Sequence, residues 1–495
     1  MNRDLPRFVG FWLAGLLLAS ASGAQPAPVD ANPAQSTLAS DPSVASNLRL
    51  LEASITGKMA HSGLPGLSIG IVYDQELVWA RGFGYADVAG KKAATPRTLY
   101  RVASLTKTFT ATAVMQLRDA GKLQLDDRVS TYLPWFEVQG ETGEAPITIR
   151  ELMTHTSGLT RDGTTTYWTD FNFPARDELV AGLASEPLSF PPATRLKYSN
   201  LAVSIEGELV AAVSGESYED YITRRILIPL GMKDSTIAQK PDAAGLLATG
   251  YGRRLPDGTR ALFPYIDAKG ITPAAGLAAN VEDLAKFVSL QFREDRPASG
   301  NPVLKGSSLR EMHRMQWMLP NWKAGWALGF STYRQGDATF IGHGGSYPGY
   351  ITSMRISPAD KIGIIVLTNA VDGKAGTVAR QAFELIAPAL RKANAKTKAV
   401  PVVDRDQDRF VGRYRSLWDD VQILPDEGGL VIVDPENDDL KESLYRLVPI
   451  GDGSYFKEAN DPSNTEDHKI VKFRFDSTRN VIGMTIGASY YERLR

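Results

Sequence analysis

The 495-residue chain contains no cysteine. Disulfide bonds, thiol catalysis, lipid attachment through an N-terminal cysteine and zinc sites with cysteine ligands are therefore excluded. Histidine is also scarce, and its five positions show no His-Glu-x-x-His motif or other metal-ligand spacing. They are His61, His155, His313, His343 and His468. We predict neither a metal site nor a cofactor, and we interpret His155 as a structural loop residue.

The chain lacks a strong excess of either charge. Its formal net charge is −1, so nothing favours binding to nucleic acid or to an acidic membrane surface. A hydrophobic content of 43% and a charged content of 22% are typical of a soluble globular protein. Two domains are expected at this length, because a single hydrophobic core rarely grows so large.

Long apolar runs are absent except near the N-terminus. Two arginines precede an apolar run over residues 8–21, and the small residues Ser22-Gly23-Ala24 follow it. This pattern predicts a signal peptide over residues 1–24 and hence a periplasmic or secreted protein without an integral membrane segment. The alternative is a retained anchor, but the run is shorter than the roughly 20 residues that span a bilayer. Residues 25–46 are rich in proline, alanine and serine, which predicts a flexible lead-in.

The remaining sequence divides into two regions with different patterns. Residues 47–395 have strand-like alternation near both ends and helical patterns between them, which predicts an α+β domain with an antiparallel sheet and a helical insert. Residues 402–495 contain short alternating segments separated by turn residues. They predict a small all-β, barrel-like domain at the C-terminus.

A candidate nucleophile lies in Ser104-Leu105-Thr106-Lys107, which opens a predicted helix. Residues three apart share one face of a helix, so Ser104 and Lys107 are expected to be neighbours. The positive end of the helix dipole favours a developing alkoxide on the serine. A lysine packed among apolar groups can lose its proton near neutral pH and then accept the hydroxyl proton.

The Ser-x-x-Lys pattern is weak evidence by itself, because a serine at a helix start is more often a cap. A second copy, Ser454-Tyr455-Phe456-Lys457, falls in a predicted strand, where its serine and lysine point to opposite faces. Gly66-Leu67-Ser68-Ile69-Gly70 matches the nucleophile motif of α/β-hydrolases, but it lies inside an alternating strand rather than at a strand-to-helix turn. We predict that neither of these serines is a nucleophile.

A second motif, Tyr198-Ser199-Asn200, precedes a helical stretch. A phenol held near a lysine and a nucleophile can pass protons to a leaving group. The amide of Asn200 can orient a substrate or the lysine. The alternative interpretation is a loop tyrosine followed by a helix cap.

A third motif, His343-Gly344-Gly345-Ser346, follows an apolar strand predicted to end at Ile341. Glycines such as Gly345 let a substrate approach the backbone closely. We predict that the N–H groups of Ser346 and Ser104 bind a developing oxyanion, and that His343 contacts the substrate or the tyrosine–lysine group. The alternative is a glycine turn with an exposed histidine.

The order Ser-x-x-Lys, Tyr-x-Asn and basic residue-x-Gly resembles the family of class C β-lactamases, D,D-peptidases, D-aminopeptidases and related esterases. The resemblance covers roughly residues 48–391. It includes the segments GFGYADVAGKKAATPRTLYRVASLTKTFTAT (82–112), LMTHTSGL (152–159) and GLAANVEDLAKF (276–287). It implies a β-lactamase/transpeptidase-like fold, with an antiparallel sheet flanked by helices, a helical lobe and the site in the cleft between them.

The resemblance also implies roles for individual residues. It implies an acyl-enzyme on Ser104, proton shuttling by Lys107 and Tyr198, and positioning of lysine and substrate by Asn200. The β-lactamases of this family usually carry Lys-Thr-Gly where this chain has His343-Gly344-Gly345. A histidine is mostly neutral at pH 7, which weakens the attraction for a substrate carboxylate.

We therefore predict a serine peptidase or amidase acting on D-amino-acid or cell-wall peptides, with small peptides and peptidoglycan fragments as its partners. His-Gly-Gly with an added C-terminal β domain is similar to the D-aminopeptidases. A carboxylesterase for small acyl esters is the alternative. A β-lactamase is disfavoured by the missing lysine. A non-catalytic wall-binding protein is disfavoured because serine, lysine and tyrosine are all present.

Overall fold

The computed structural model describes residues 36–163, 167–237, 245–294, 303–335, 338–394, 405–426, 429–439, 443–451, 454–459 and 469–494. The predicted signal peptide, the first part of the predicted lead-in and His468 lie outside these residues. Within the described ranges, no helix combines the length and apolarity needed to cross a membrane.

The first domain combines short and long strands with helices. Its strands are β1 (Gly66–Tyr73), β2 (Glu76–Asp87), β3 (Lys92–Ala93), β4 (Tyr100–Arg101), β5 (Thr236–Ile237), β6 (Gly250–Tyr251), β7 (Leu262–Phe263), β8 (Leu277–Ala279), β9 (Trp317–Met318), β10 (Ala324–Trp326), β11 (Ser331–Gln335), β12 (Ala338–Tyr347), β13 (Tyr350–Ser357) and β14 (Ile362–Thr368). Its helices are α1 (Pro42–Ser62), α2 (Thr106–Asp119), α3 (Val129–Tyr132), α4 (Ile149–Met153), α5 (Tyr167–Asp170), α6 (Arg176–Leu183), α7 (Asn200–Ser214), α8 (Tyr218–Ile222), α9 (Ile228–Leu230), α10 (Thr272–Ala275), α11 (Val281–Gln291), α12 (Gly306–His313) and α13 (Ala375–Asn394).

An antiparallel sheet from both ends of this domain forms its base, in the order β3-β2-β1-β14-β13-β12-β11-β10-β9. Strands β1 and β2 form a hairpin, and Ile69 of β1 lies opposite Val366 of β14. Strands β1 and β14 are buried on both faces, which explains their nearly continuous apolar sequences. Helices α1 and α13 cover one face, and α11 packs against the other. The predicted α+β architecture is confirmed.

Two boundaries in this domain differ from the predictions. Helix α1 begins at Pro42, inside the predicted lead-in, because Asp41 caps its N-terminus and Val44 is buried against the sheet. Strand β12 does not end at Ile341 but continues through Tyr347, because β13 pairs with it along the glycines. The third motif is therefore part of a strand rather than a turn.

The C-terminal domain is a closed antiparallel barrel, as predicted. Its strands are β15 (Gly412–Arg415), β16 (Asp420–Asp426), β17 (Gly429–Val433), β18 (Leu444–Gly451), β19 (Ser454–Ala459), β20 (Ile470–Phe475), β21 (Val481–Ile486) and β22 (Ser489–Arg493). The barrel closes between β15 and β22. Residues 454–457 belong to β19, a strand as predicted, whereas β22 was not predicted.

The barrel packs against α1 of the first domain. Leu50 and Ala53 of α1 share an apolar cluster with residues of β16, β17 and β18. Lys58 Nζ donates a hydrogen bond of 2.7 Å to the carbonyl of Asn437. The contact between the barrel and α1 therefore lies on the side of the sheet that α1 covers, which is the face opposite to α11.

Candidate active site

Ser104 lies in a single 3₁₀ turn, Ala103–Leu105, directly before α2. The preceding Ala103 has a φ of +53°, a left-handed conformation that is costly for a residue with a Cβ. Two hydrogen bonds hold the turn: Thr106 Oγ1 donates to the carbonyl of Ala103 at 2.6 Å, and Thr352 Oγ1 donates to that of Val102 at 3.0 Å. The strained backbone at this serine is typical of functional sites.

Lys107 lies in the first turn of α2 and is only 1% exposed. Its Nζ is 3.2 Å from Ser104 Oγ, 2.7 Å from Asn200 Oδ1 and 2.9 Å from the carbonyl oxygen of Ala274. Burial lowers the pKa of this amine from 10.5 to about 7, while the nearby Glu206 acts in the opposite direction. Lys107 can therefore be neutral near pH 7 and can accept a proton from the serine.

Tyr198 approaches the serine from the other side. Its hydroxyl group donates a hydrogen bond of 2.8 Å to Ser104 Oγ, and Lys107 Nζ lies 4.9 Å from the centroid of its ring. Burial raises the pKa of this phenol above its usual value, so it remains protonated. A neutral phenol in this position can relay a proton between the serine and a group bound beside it.

Asn200 links the lysine to a carboxylate. The hydroxyl group of Ser199 caps α7 by accepting from the N–H of Ala202, which leaves the Asn200 side chain free. Its Oδ1 accepts from Lys107, and its Nδ2 donates to Asp162 Oδ1 at 2.6 Å. The amide orientation is thereby fixed, with its acceptor oxygen toward the amine.

His343 lies on β12 and is buried beside Tyr198, with 5.9 Å between the ring centroids. Its Nδ1 donates to the carbonyl of Gly344 at 2.5 Å, and Nε2 has no hydrogen-bond partner among the described residues. Burial lowers the pKa of His343 to about 3. The imidazole is therefore neutral at pH 7, as the sequence indicated, and Nε2 is an acceptor.

After Gly342, one edge of β12 is unpaired within the described residues, and this edge lies beside the 3₁₀ turn that carries Ser104. A Cβ at Gly345 would meet Thr352 Oγ1 at 2.2 Å and the carbonyl oxygen of Val102 at 2.3 Å, so only glycine fits there. Strand β11 pairs with β12 only as far as Gly342. The turn at Pro348–Gly349 places Tyr347 opposite Tyr350, and alternation along the antiparallel ladder directs the N–H of Ser346 away from β13.

Four further residues contribute to this site. The sequence predicted only a structural role for His155, and it gave no role to the other three. His155 accepts from the N–H of Ser199 at 3.3 Å and packs on Tyr198 with 4.6 Å between centroids, so it positions the tyrosine. Trp326 packs on both rings, with its centroid 4.6 Å from that of His155 and 5.7 Å from that of Tyr198. Asp162 and Glu206 interact with Asn200 and Lys107 from distant parts of the chain. His155 lies in the segment LMTHTSGL, whereas no local motif marks the other three residues.

The two rejected serine motifs lie elsewhere. Ser68 is buried in β1, where its hydroxyl group bonds to Thr95 and Tyr100. Ser454 and Lys457 are on β19 of the barrel. In the described part of the chain, no group of three or more His, Cys, Asp or Glu residues is arranged to hold a metal ion.

Comparison with known protein families matches residues 51–387, which is most of the chain, to the family described as Beta-lactamase. The chain belongs to this family. Its members are typically serine hydrolases of the β-lactamase and penicillin-binding type, and the match covers Ser104, Lys107, Tyr198, Asn200 and the third motif.

Relatives of this β-lactamase-family protein differ in how much of their length they share with it. Protein flp of Staphylococcus aureus (strain MW2) is 30% identical over 318 residues, which are 62% of this chain. The chain spans 60% of the length of Protein flp. Beta-lactamase-like protein 2 of Dictyostelium discoideum is 26% identical over 459 residues, covering 87% of this chain and 80% of that protein.

Solved structures extend the similarity across both domains. An octameric penicillin-binding protein homologue from Pyrococcus abyssi is 26% identical, with a TM-score of 0.62. The alignment covers 90% of this chain and 99% of that one. A crystal structure of SurE, with 22% identity and a TM-score of 0.57, shares the fold over 91% of this chain and 100% of its own.

Proposed function

We propose that this β-lactamase-family protein hydrolyses its substrate through an acyl-enzyme on Ser104. The observation that carries the proposal is the pair of contacts at Ser104 Oγ, with Lys107 Nζ at 3.2 Å and the Tyr198 hydroxyl group at 2.8 Å. A base and a proton relay thus meet at one hydroxyl group, which is the arrangement an activated serine requires.

The first half of the reaction forms the acyl-enzyme. The neutral amine of Lys107 takes the hydroxyl proton as Oγ attacks the substrate carbonyl carbon. The N–H groups of Ser104 and Ser346 bind the carbonyl oxygen as it becomes negative. Tyr198 delivers a proton to the leaving nitrogen or oxygen and regains one from the lysine, so the bond to the leaving group breaks.

The second half releases the product. A water molecule gives a proton to the Tyr198–Lys107 relay and attacks the acyl carbon. The bond to Oγ breaks, and the relay returns a proton to Ser104. In both halves Lys107 becomes protonated while it is buried, and burial destabilises the charged amine unless nearby groups accept its hydrogen bonds. Asn200 Oδ1 at 2.7 Å and the carbonyl oxygen of Ala274 at 2.9 Å stabilise it there.

For the substrate, we propose peptides or amides of D-amino acids such as those of cell-wall stems, which the protein meets in the periplasm or outside the cell. The similarity to a penicillin-binding protein homologue supports this class. So does Arg161, whose side chain is 63% exposed and whose guanidinium carbon lies 5.7 Å from the Tyr198 ring centroid. Its Nε is paired with Asp162 Oδ2 at 3.3 Å, and the exposed remainder of the guanidinium group can bind a substrate carboxylate beside the tyrosine.

A carboxylesterase is the second candidate, and His343 favours it. The neutral imidazole occupies the position where β-lactamases of the family carry a lysine. A site with a neutral acceptor there attracts a substrate carboxylate less strongly, which suits an uncharged ester. The same feature argues against efficient hydrolysis of β-lactams.

The test compares kcat/KM for D-alanyl p-nitroanilide, its L-isomer and p-nitrophenyl acetate, with nitrocefin as a fourth substrate. We expect preference for the D-isomer, loss of all activity in Ser104→Ala, and a higher KM in Arg161→Gln for nitrocefin, which alone among the four substrates carries a free carboxylate. Equal rates on both isomers with faster ester hydrolysis would select the esterase. Activity that survives in Ser104→Ala would overturn the whole proposal.

A further inference from the structure

A groove of about 690 Å³ lies where the C-terminal barrel meets the end of α1. Its volume is within the range of roughly 300–1,000 Å³ that ligand sites occupy. Residues of α1, β15, the β15–β16 turn, the loop after β17 and the C-terminus line it. None of these lining residues belongs to the candidate active site, so the groove is a separate site.

The β15–β16 turn presents an unusual apolar tip at this groove. Trp418 is 82% exposed and the adjacent Leu417 is 87% exposed. A tryptophan is highly buried in most proteins, so one with its ring in solvent is informative about binding. Indoles combine a large apolar face with a polar edge, and this makes them frequent contacts for ligands and partners.

The indole is presented on a rigid support. Ser416 Oγ accepts from the N–H groups of Trp418 and Asp419 at 3.0 and 3.1 Å. The N–H of Ser416 donates to the carbonyl of Asp419 at 2.9 Å, and Tyr491 donates to Asp419 Oδ2 at 3.1 Å. Because the turn is already ordered, a ligand that stacks on Trp418 loses little binding energy to ordering it.

Apart from Asp419, which accepts from Tyr491, the charged groups around the tryptophan are paired with one another. Arg415 binds both oxygens of Asp420, at 2.6 and 2.7 Å. His61 lies 2.7 Å from Glu436 at the other side of the groove. The lining therefore offers many hydrogen-bond donors and acceptors without an excess of either charge, which does not favour an anionic or a cationic ligand.

We propose that this groove binds a polysaccharide chain, with one sugar ring stacked on Trp418 and its hydroxyl groups bonded to the paired charges. A pyranose has an apolar C–H face and a rim of hydroxyl groups, which matches an exposed indole surrounded by donors and acceptors. A protein interface would need a much larger apolar area than these two side chains provide. An anionic membrane would need an excess of basic residues.

The experiment measures retention of the full-length protein on insoluble peptidoglycan sacculi and, separately, on starch granules. Trp418→Ala, Trp418→Phe and Trp322→Ala are compared with wild type. Trp322 is a matched control, because it is 77% exposed but lies between β9 and β10 of the first domain. We expect retention of wild type and Trp322→Ala, about tenfold weaker binding of Trp418→Ala and intermediate binding of Trp418→Phe.

The two polymers distinguish the source of the polysaccharide, and binding to either supports the proposal. Hydrolysis of p-nitrophenyl acetate should be the same in wild type and both Trp418 variants, which separates this site from the catalytic one. The proposal is overturned if wild type binds neither polymer, or if Trp418→Ala binds as well as wild type. It is also overturned if Trp418→Ala converts an oligomer to a monomer in size-exclusion chromatography, because the β15–β16 turn then joins two copies of the chain. Retention of the protein by anionic vesicles alone would overturn it as well.

Discussion

The carboxyl group of Glu206 lies inside the first domain with an exposed fraction of 1%, and its Oε1 has no hydrogen-bond partner among the described residues. Burial raises its pKa from 4.5 to about 8. At about 1.4 kcal/mol per pH unit, the buried carboxylate is destabilised by on the order of 5 kcal/mol once it is fully ionised. Glutamine has nearly the same shape but never carries this charge.

We predict that Glu206→Gln stabilises the protein by an amount that grows with pH. For a carboxyl group with a raised pKa, no stability is lost below pH 4.5, and the loss accumulates as the pH rises toward 8. The gain in the glutamine variant should therefore be near zero at pH 4.5 and several kcal/mol at pH 8. Urea unfolding of both proteins, followed by tryptophan fluorescence at several pH values, measures this difference.

A neighbouring glutamate provides the control. Glu208 lies on the same helix, but its side chain is 18% exposed and paired with Arg176. Glu208→Gln should change stability by a small amount without the rise between pH 4.5 and 8, because a surface ion pair contributes little. A gain for Glu206→Gln that is the same at every pH, or absent at pH 8, would refute the reasoning.

The remaining predictions concern activity. In the pH profile of kcat/KM, the acid limb should lie near pH 7, because Lys107 must lose its proton to act as the base. Glu206→Gln should leave this limb nearly in place, because a carboxyl group with a pKa of about 8 is mostly neutral near pH 7; a limb that moves clearly to lower pH would show that Glu206 is ionised beside Lys107. Tyr198→Phe should lower kcat on amides by about 10²–10⁴-fold, with an unchanged Tm showing that the fold is intact. Gly345→Ala should lower the activity and should reduce the free energy of unfolding by about 1–3 kcal/mol, seen as a lower Tm. Gly344→Ala should be tolerated, because the atom nearest to a Cβ at this position is 3.8 Å away. Equal effects of the two substitutions would contradict the close packing at β12.

Sequence reasoning located the central groups because they occur in short motifs with fixed geometry. Ser104 and Lys107 are one helical turn apart, and Ser199 caps α7 so that Tyr198 and Asn200 face them. Alternation of apolar residues also gave the central strands correctly. These features are local, so the sequence carries them directly.

The supporting groups could not be predicted because folding alone brings them together. Asp162 and Glu206 reach Asn200 and Lys107 across separate elements, and neither lies in a recognisable motif. The glycines of the third motif left a turn open as the alternative, and only the pairing with β13 shows that they are extended. The barrel strand that was missed, β22, is short and becomes a strand through pairing with β15 and β21.

The most direct test of the account is the intact mass of the full-length protein after reaction with a fluorophosphonate, followed by mapping of the labelled peptide. We predict one adduct, located on Ser104, absent from Ser104→Ala and formed much more slowly in Lys107→Met. An adduct that persists in Ser104→Ala, or that maps to Ser68 or Ser454, would contradict the assignment of the nucleophile.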